Sequence, residues 1–139
     1  MVSELRLRRI RERLREELQE LLLFEVTDPR LQGVTVTDVE VDRELAYADI
    51  FVSAPEGSVR KDEVLEGLEH AKGFLRRELA QRMSFLRIFP RLRFHWDITP
   101  ERADRIEALL NQIRAEREAR GEGGEEGKAS SPAEESGDA

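Results

Sequence analysis

The stretch AKGFLRRELAQRMSFLRIFPRLR, residues 71–93, is the most informative part of the chain. It holds seven basic residues against one acid, Glu78, for a local net charge of +6, whereas the whole chain carries −7. A cationic block inside an anionic protein predicts a surface that binds a polyanion. The basic residues are Lys72, Arg76, Arg77, Arg82, Arg87, Arg91 and Arg93. Gly73 lies inside a helical pattern and predicts a bend beside these charges, because glycine lowers the cost of leaving helical geometry.

Composition limits the classes of protein to be considered. At 139 residues the chain is long enough for one domain with a modest core. It has no cysteine, which excludes a disulfide scaffold and a thiol nucleophile. The N-terminal residues are charged throughout and do not resemble a signal peptide, and no apolar run approaches the ~20 residues of a membrane span. A cytoplasmic protein without a membrane segment is therefore expected.

Residues 3–23 are predicted to form an amphipathic helix. Five apolar residues recur at spacings of three and four and so lie on one face: Leu7, Ile10, Leu14, Leu18 and Leu21. Arg6, Arg9 and Arg13 follow one flank of that face. These arginines have two interpretations: they contact phosphates, or they pair at i,i+4 with glutamates of the same helix.

The middle of the chain alternates between strand and helix patterns. Residues 24–33 form a connection that contains Asp28-Pro29-Arg30, residues 34–41 and 46–52 form a hairpin, and Asp38-Val39 interrupts the alternation as a bulge would. A helix follows from about Ser58, with a break at Gly73. Residues 92–96 then give a third strand, in which Trp96 is in phase with the apolar positions and is expected in the core; the face of Tyr47 stays open.

The C-terminal part contains a last helix and a tail. Thr99-Pro100 is typical of a helix start, and the apolar side of the helix that follows contains Ile106, Leu109, Leu110 and Ile113. Residues 119–139 are rich in glycine, glutamate and serine and carry a net charge of −4, which predicts a disordered acidic tail. The predicted domain is therefore residues 1–118.

The order helix, strand, strand, bent helix, strand, helix predicts an α+β fold, with a three-stranded sheet packed against helices. This order resembles the KH RNA-binding domain in its type II arrangement. A typical KH domain clamps nucleotides with a G-x-x-G loop between two helices. Here the corresponding position reads Ala71-Lys72-Gly73, and the G-x-x-G matches lie in the acidic tail.

Replacement of G-x-x-G by Ala-x-Gly at a helical kink resembles the ribosome-binding factor A family. The similarity covers about residues 5–113 and extends to several further segments in the same order. These segments are the arginine-rich first helix, Asp28-Pro29-Arg30, Val34-Thr35-Val36-Thr37-Asp38-Val39, residues 46–53 (AYADIFVS), residues 71–76 (AKGFLR) and residues 91–94 (RLRF).

The resemblance implies a bacterial assembly factor that binds the free 30S ribosomal subunit and assists late 16S rRNA maturation, including 5′-end processing. Such factors matter most in the cold and act without catalysis. The implied partners are the 30S subunit and 16S rRNA, with other assembly factors or GTPases as further candidates. A monomer without a cofactor or metal is expected.

The predicted site consists of basic side chains and a structural motif. The expected RNA-binding residues are Arg6, Arg9, Arg13, Arg30, Lys72, Arg76, Arg77, Arg82, Arg87, Arg91 and Arg93. The expected structural residues are Asp28, Pro29, Ala71 and Gly73. Without G-x-x-G, recognition of rRNA shape and phosphates is favoured over capture of single-stranded bases.

Two other functions are alternatives to RNA binding. An enzyme is disfavoured because His70 and His95 lie on different elements, the pair Glu66 and His70 lacks a third metal ligand, and no phosphate-binding glycine motif is present. The remaining alternative is a non-catalytic protein–protein interaction module whose basic helices are only solvated faces. Salt dependence separates the two, because binding to RNA weakens steeply as salt rises.

Overall fold

The computed structural model describes residues 2–121, which divide after Ile98 into two units. The predicted acidic tail lies outside the described residues, apart from its first three. Residue Ala119 is still helical. The predicted domain boundary after Glu118 stays a prediction.

The first unit contains a three-stranded sheet and helices. Its elements are α1 (Glu4–Phe24), a 3-10 turn (Pro29–Leu31), β1 (Thr35–Val41), β2 (Tyr47–Ser53), a second 3-10 turn (Gly57–Arg60), α2 (Lys61–Arg82) and β3 (Arg91–Trp96). The strand order is β1-β2-β3, with β1 antiparallel and β3 parallel to β2. A parallel pair needs a long crossover connection, and α2 supplies it. The predicted α+β fold with a three-stranded sheet is confirmed.

The second unit contains α3 (Thr99–Ala119). The sequence predicts Thr99 as the N-cap and Pro100 as the first helical residue. In the structure Thr99 is already helical, so α3 begins one residue earlier than predicted. Its predicted apolar side is not buried: Ile106, Leu109, Leu110 and Ile113 are all exposed.

The core of the first unit is built from one face of each helix and one face of the sheet. The predicted apolar stripe of α1, from Leu7 to Leu21, is at most 3% exposed. Buried side chains of α2 and of the sheet complete the core, among them Val64, Leu68, Leu75, Leu79, Ala48, Ile50, Val52 and Leu92. Trp96 is partly buried and packs against this cluster, as predicted. Tyr47 lies on the opposite face of the sheet, out of phase with Ala48 and Ile50.

β1 contains a bulge, one residue earlier than predicted. The pairing of β1 with β2 shifts register between Val36 and Asp38, so the extra residue is Thr37 and not the predicted Asp38-Val39. The Thr37 hydroxyl is held by Asp97, with 2.6 Å between Oγ1 and Oδ2. Side-chain alternation alone cannot show which residue loses its partner, and this explains the error.

Gln19 fixes α1 to β1. Its Nε2 donates to the Val34 carbonyl at 3.2 Å, and its Oε1 accepts from the Val36 amide at 2.7 Å. These two hydrogen bonds satisfy backbone groups on the edge of the sheet, which would otherwise lack strand partners.

α2 remains helical through Ala71, Lys72 and Gly73, so the expected break does not occur there. A bend without a break stays a prediction. Gly73 is exposed, and an added Cβ would meet only the Arg77 guanidinium, at 3.5 Å. Gly67 is the glycine that packing requires, because a Cβ there would lie 3.0 Å from Cδ2 of Leu31 and 3.2 Å from Cβ of Arg30.

These two glycines give a matched pair of substitutions. Gly73→Ala should raise the free energy of unfolding by up to about 1 kcal/mol, because alanine favours an open helix position. Gly67→Ala should be less stable than Gly73→Ala by about 1–3 kcal/mol, because its methyl group overpacks against the 3-10 turn. Urea denaturation followed by circular dichroism measures both. Equal stabilities would show that the turn moves away from α2 without cost.

Candidate nucleic-acid interface

The structure brings Arg6 and Arg13 of α1 close to the middle of the basic block, at Arg82 and Arg87. Nη2 of Arg13 donates to the Arg82 carbonyl at 3.0 Å, and the Arg13 guanidinium lies 6.0 Å from the ring centroid of Phe85. Arg6, Phe85 and Arg87 together line one cavity. Arg9 lies between Arg6 and Arg13 at helical spacing. The arginine face is defined here as Arg6, Arg9, Arg13, Arg82 and Arg87.

Two members of the arginine face are neutralised within the fold. Glu17 accepts from Nε of Arg13 and from Nη1 of Arg82, each at 3.0 Å, and Arg82 also pairs with Glu20 at 2.7 Å. The hydrogen bond from Arg82, followed by that from Arg13, lowers the pKa of Glu17. These ion pairs connect α1 to the end of α2. The interpretation of i,i+4 pairing is confirmed for Arg13.

The other three members remain available. Arg6, Arg9 and Arg87 are exposed, and none has a side-chain hydrogen bond or ion pair with the rest of residues 2–121. The unneutralised charge of the arginine face therefore belongs to these three side chains.

The basic residues in the middle of α2 have different roles. Arg76 donates to the carbonyls of Phe89 and Pro90, at 2.8 and 3.4 Å, and so holds the segment that precedes β3. Lys72 pairs with Glu69 at 2.9 Å. Arg77 is exposed, and no ion pair forms between it and the rest of residues 2–121.

The end of the basic block lies on the other side of the sheet. Arg93 makes a bidentate pair with Asp49, at 2.9 and 3.0 Å, and its guanidinium lies 4.0 Å from the ring centroid of Tyr47. This pair lowers the pKa of Asp49. Arg91 is exposed and in phase with Arg93. The basic block is therefore divided between two faces, as the alternation with buried Leu92 already indicates.

The Asp28-Pro29-Arg30 motif forms the first 3-10 turn. Oδ1 of Asp28 accepts from the Arg30 amide at 2.9 Å, and its carboxylate pairs with the Arg30 guanidinium at 2.7 Å. These bonds from Arg30 lower the pKa of Asp28 to about 2. The structure thus uses the predicted RNA-binding residue Arg30 inside the turn, where it also lies 3.8 Å from Glu66.

Arg60 is a structural residue that sequence reasoning missed. Its guanidinium is 13% exposed and pairs with Glu56 at 3.2 Å and with Glu63 at 3.1 Å. It also donates to the carbonyls of Gln32 and Arg30, at 2.7 and 2.8 Å. A cation just before a helix is unfavourable, because it opposes the helix dipole. The position of Arg60 in the sequence is therefore a signal that this side chain stabilises the fold through other contacts.

Phe85 and Ile88 were also missed as surface residues. They are 53% and 77% exposed and alternate with buried neighbours in the segment between α2 and β3. Leu45 lies on the wall of the same cavity, with a positive φ of 58°. This conformation is unfavourable for leucine by about 1–3 kcal/mol.

The described residues offer no metal site or membrane span. No group of three histidine, aspartate or glutamate side chains converges to hold a metal within residues 2–121. In the same part of the chain, no helix is long and apolar enough to cross a membrane.

The fold and the arginine face define a KH-like α+β domain with a basic helical surface. The family model of ribosome-binding factor A matches residues 6–110. The ribosome-binding factor A of Aromatoleum aromaticum is 42% identical over 83% of this chain and 90% of its own length. That of Alcanivorax borkumensis is 44% identical over 86% of this chain and 88% of its own. The chain belongs to the ribosome-binding factor A family.

Solved structures agree with this assignment and with the KH-like fold. The crystal structure of ribosome-binding factor A from Thermus thermophilus is 27% identical, with a TM-score of 0.58 over 65% of this chain and 93% of that one. A homology model of the Thermus thermophilus factor, fitted into the cryo-EM map of a 30S–RbfA complex, is 29% identical, with a TM-score of 0.54 over 64% and 93%.

The charge of Asp28 should make the first 3-10 turn sensitive to acid. Its pKa is about 2 in the folded chain and 3.8 ordinarily, so ionised Asp28 stabilises the fold above about pH 4. That contribution is lost as the pH falls from about 4 to about 2. Asp28→Asn keeps the cap acceptor, so it should be less stable than wild type at pH 7, with a difference that shrinks below pH 4.

Denaturant unfolding at pH 7, 5, 4, 3 and 2.5 measures this difference. Asp104→Asn is the control, because Asp104 is exposed on α3 and forms no ion pair within residues 2–121. A difference for Asp28→Asn that persists unchanged to pH 2.5 would contradict a role for the carboxylate charge.

Proposed function

We propose that this protein binds the free 30S ribosomal subunit and assists late maturation of 16S rRNA, including processing of its 5′ end. It acts without catalysis, as a cytoplasmic assembly factor. The observation that carries the proposal is the arginine face, three of whose guanidinium groups have no partner in the described chain. The relative fitted into a 30S complex supports the choice of partner.

The geometry favours recognition of phosphates and shape. Arg6 and Arg9 flank the apolar face of a helix that is fixed in the core, so the backbone that carries them is in place before RNA arrives. Arginine contacts to phosphate position a protein on RNA and carry little sequence information. Each contact releases counterions, so binding should be strong at low salt and weaken steeply as salt rises.

The predicted RNA-binding residues outside the arginine face fall into two groups: those whose side chains have no hydrogen-bond or ion-pair partner in the described chain and those whose side chains already have one. Arg77 and Arg91 are exposed and unpaired in the described chain, and we retain them as phosphate ligands. Arg30, Lys72, Arg76 and Arg93 already have partners within the fold. For these four, contact with rRNA would have to compete with an internal partner. The importance in the cold, cooperation with other assembly factors or GTPases and a monomeric state belong to the same proposal.

Charge reversal on the arginine face tests subunit binding. The double variant Arg6→Glu/Arg87→Glu should lose affinity for purified 30S subunits and reduce the slope of log affinity against log salt by about 2, one for each lost phosphate contact. The control Arg102→Glu/Arg105→Glu makes the same change of net charge on α3. Sedimentation with 30S subunits at 50–200 mM salt gives both quantities, and circular dichroism checks folding.

Two outcomes would decide against the proposal. Undiminished binding by the folded Arg6→Glu/Arg87→Glu variant would favour the alternative of a protein-interaction module with solvated basic helices. For the maturation step, cells that carry only this variant should accumulate 16S rRNA with an unprocessed 5′ end, measured by primer extension. Normal 5′ ends despite lost binding would separate subunit binding from rRNA processing.

A further inference from the structure

The segment between α2 and β3 holds apolar side chains in water on a fixed backbone. Its anchors are buried: Met83, Leu86, Phe89 and Pro90. The Leu86 amide donates to the Met83 carbonyl at 3.1 Å, and Arg76 holds the Phe89 carbonyl at 2.8 Å. Phe85 and Ile88 are nevertheless 53% and 77% exposed. Exposed apolar side chains on a rigid support indicate a contact surface.

These side chains border a cavity of about 490 Å³, which we name the Phe85 cavity. Leu45, Phe85 and Ile88 form apolar parts of its wall, and Arg6, Arg87 and Glu44 lie beside them. The volume falls within the range of about 300–1,000 Å³ that is usual for ligand sites. The cavity thus combines an aromatic ring, an apolar wall and two cations that form no ion pair within residues 2–121.

The hairpin turn holds Leu45 in place on this wall. Oδ1 of Asp42 accepts from the amides of Ala46 and Tyr47, each at 2.8 Å, and the Asp42 carbonyl accepts from the Leu45 amide at 2.9 Å. Leu45 takes a positive φ of 58°, where glycine or asparagine would be favoured. The turn therefore maintains an apolar side chain at a position where the backbone disfavours it.

We propose that the Phe85 cavity receives one unstacked nucleobase of 16S rRNA. The base stacks on Phe85 while Arg6 and Arg87 hold the phosphates on either side of it. The inference rests on the proposed function and adds a base contact to a surface otherwise built for phosphates. Stacking on an aromatic ring tolerates any sequence, because every base has a π-face.

Charge favours RNA over a protein segment as the occupant. Arg6 and Arg87 line the cavity and form no ion pair within residues 2–121, and the Arg13 guanidinium lies 6.0 Å from the centroid of the Phe85 ring. Glu44 is the acid on this wall. Its carboxylate can accept hydrogen bonds from the N–H groups on the Watson–Crick edge of a base.

Substitution of Phe85 separates stacking from charge. With full-length protein and purified 30S subunits, Phe85→Ala should bind about 5- to 150-fold more weakly, with an unchanged salt slope because no phosphate contact is lost. Phe85→Tyr keeps the ring and should recover most of the affinity that Phe85→Ala loses. Phe24→Ala is the matched control: Phe24 is 73% exposed on α1 and does not border the cavity. Thermal melts confirm that each variant folds.

A cross-link identifies the occupant. A photoreactive benzophenone amino acid in place of Ile88 should cross-link to 16S rRNA in the 30S complex, giving a product that ribonuclease destroys. A product that resists ribonuclease and yields to protease would overturn the proposal in favour of a ribosomal protein segment. If Phe85→Ala binds normally while Arg6→Glu/Arg87→Glu fails to bind, the base contact is wrong and the proposed function stands. If both bind normally, the proposed function fails as well.

Discussion

Burial of two helices against one face of a three-stranded sheet is the constraint on which the rest of the structure depends. Leu14, Leu18, Ile50 and Leu75 are fully excluded from water. Loss of one such leucine side chain costs about 2–5 kcal/mol. Because the buried face of α1 is wholly apolar, its many arginines can lie only on the flanks and the outer surface. The arginine face is thus a consequence of the same pattern that forms the core.

The ion pairs on the surface contribute little to the stability of the helix packing. Arg82 joins Glu17 and Glu20 across α1 and α2, yet all three groups remain partly exposed. Partly exposed pairs of this kind contribute about 0–1 kcal/mol each, much less than the leucines beneath them. Packing therefore fixes the helices, and the acids determine which arginines keep free charge for an external anion. The glutamates of α1 cluster in its second half, and Arg6 and Arg9 at its start form no ion pair with the rest of residues 2–121.

Periodicity predicted the features that burial controls. The stripe of α1, the hairpin and the third strand follow spacings of 3.6 or 2, and the structure confirms them. The misplaced features depend on contacts between distant residues. The Thr37 bulge is held by a hydrogen bond to Asp97. Arg60 binds carbonyls about thirty residues away in the sequence. Position 67 needs a glycine because the first 3-10 turn packs against it. Arg93 is different: it was predicted on one surface with the rest of the basic block, although its alternation with buried Leu92 was a signal that it lies on the far face of the sheet.

The continuity of α2 determines how this protein can hold RNA. A KH domain of the usual kind clamps nucleotides with the backbone of a loop that interrupts two helices. At Ala71-Lys72-Gly73 the backbone is helical, so its amides donate to carbonyls one turn earlier and cannot also bind phosphate. Contacts to RNA are then expected from side chains, and the arginine face supplies three cations, Arg6, Arg9 and Arg87, that form no ion pair within residues 2–121. In the proposed function, recognition therefore moves from the backbone of α2 to the guanidinium groups of α1 and of the segment before β3, where Phe85 adds an exposed aromatic ring.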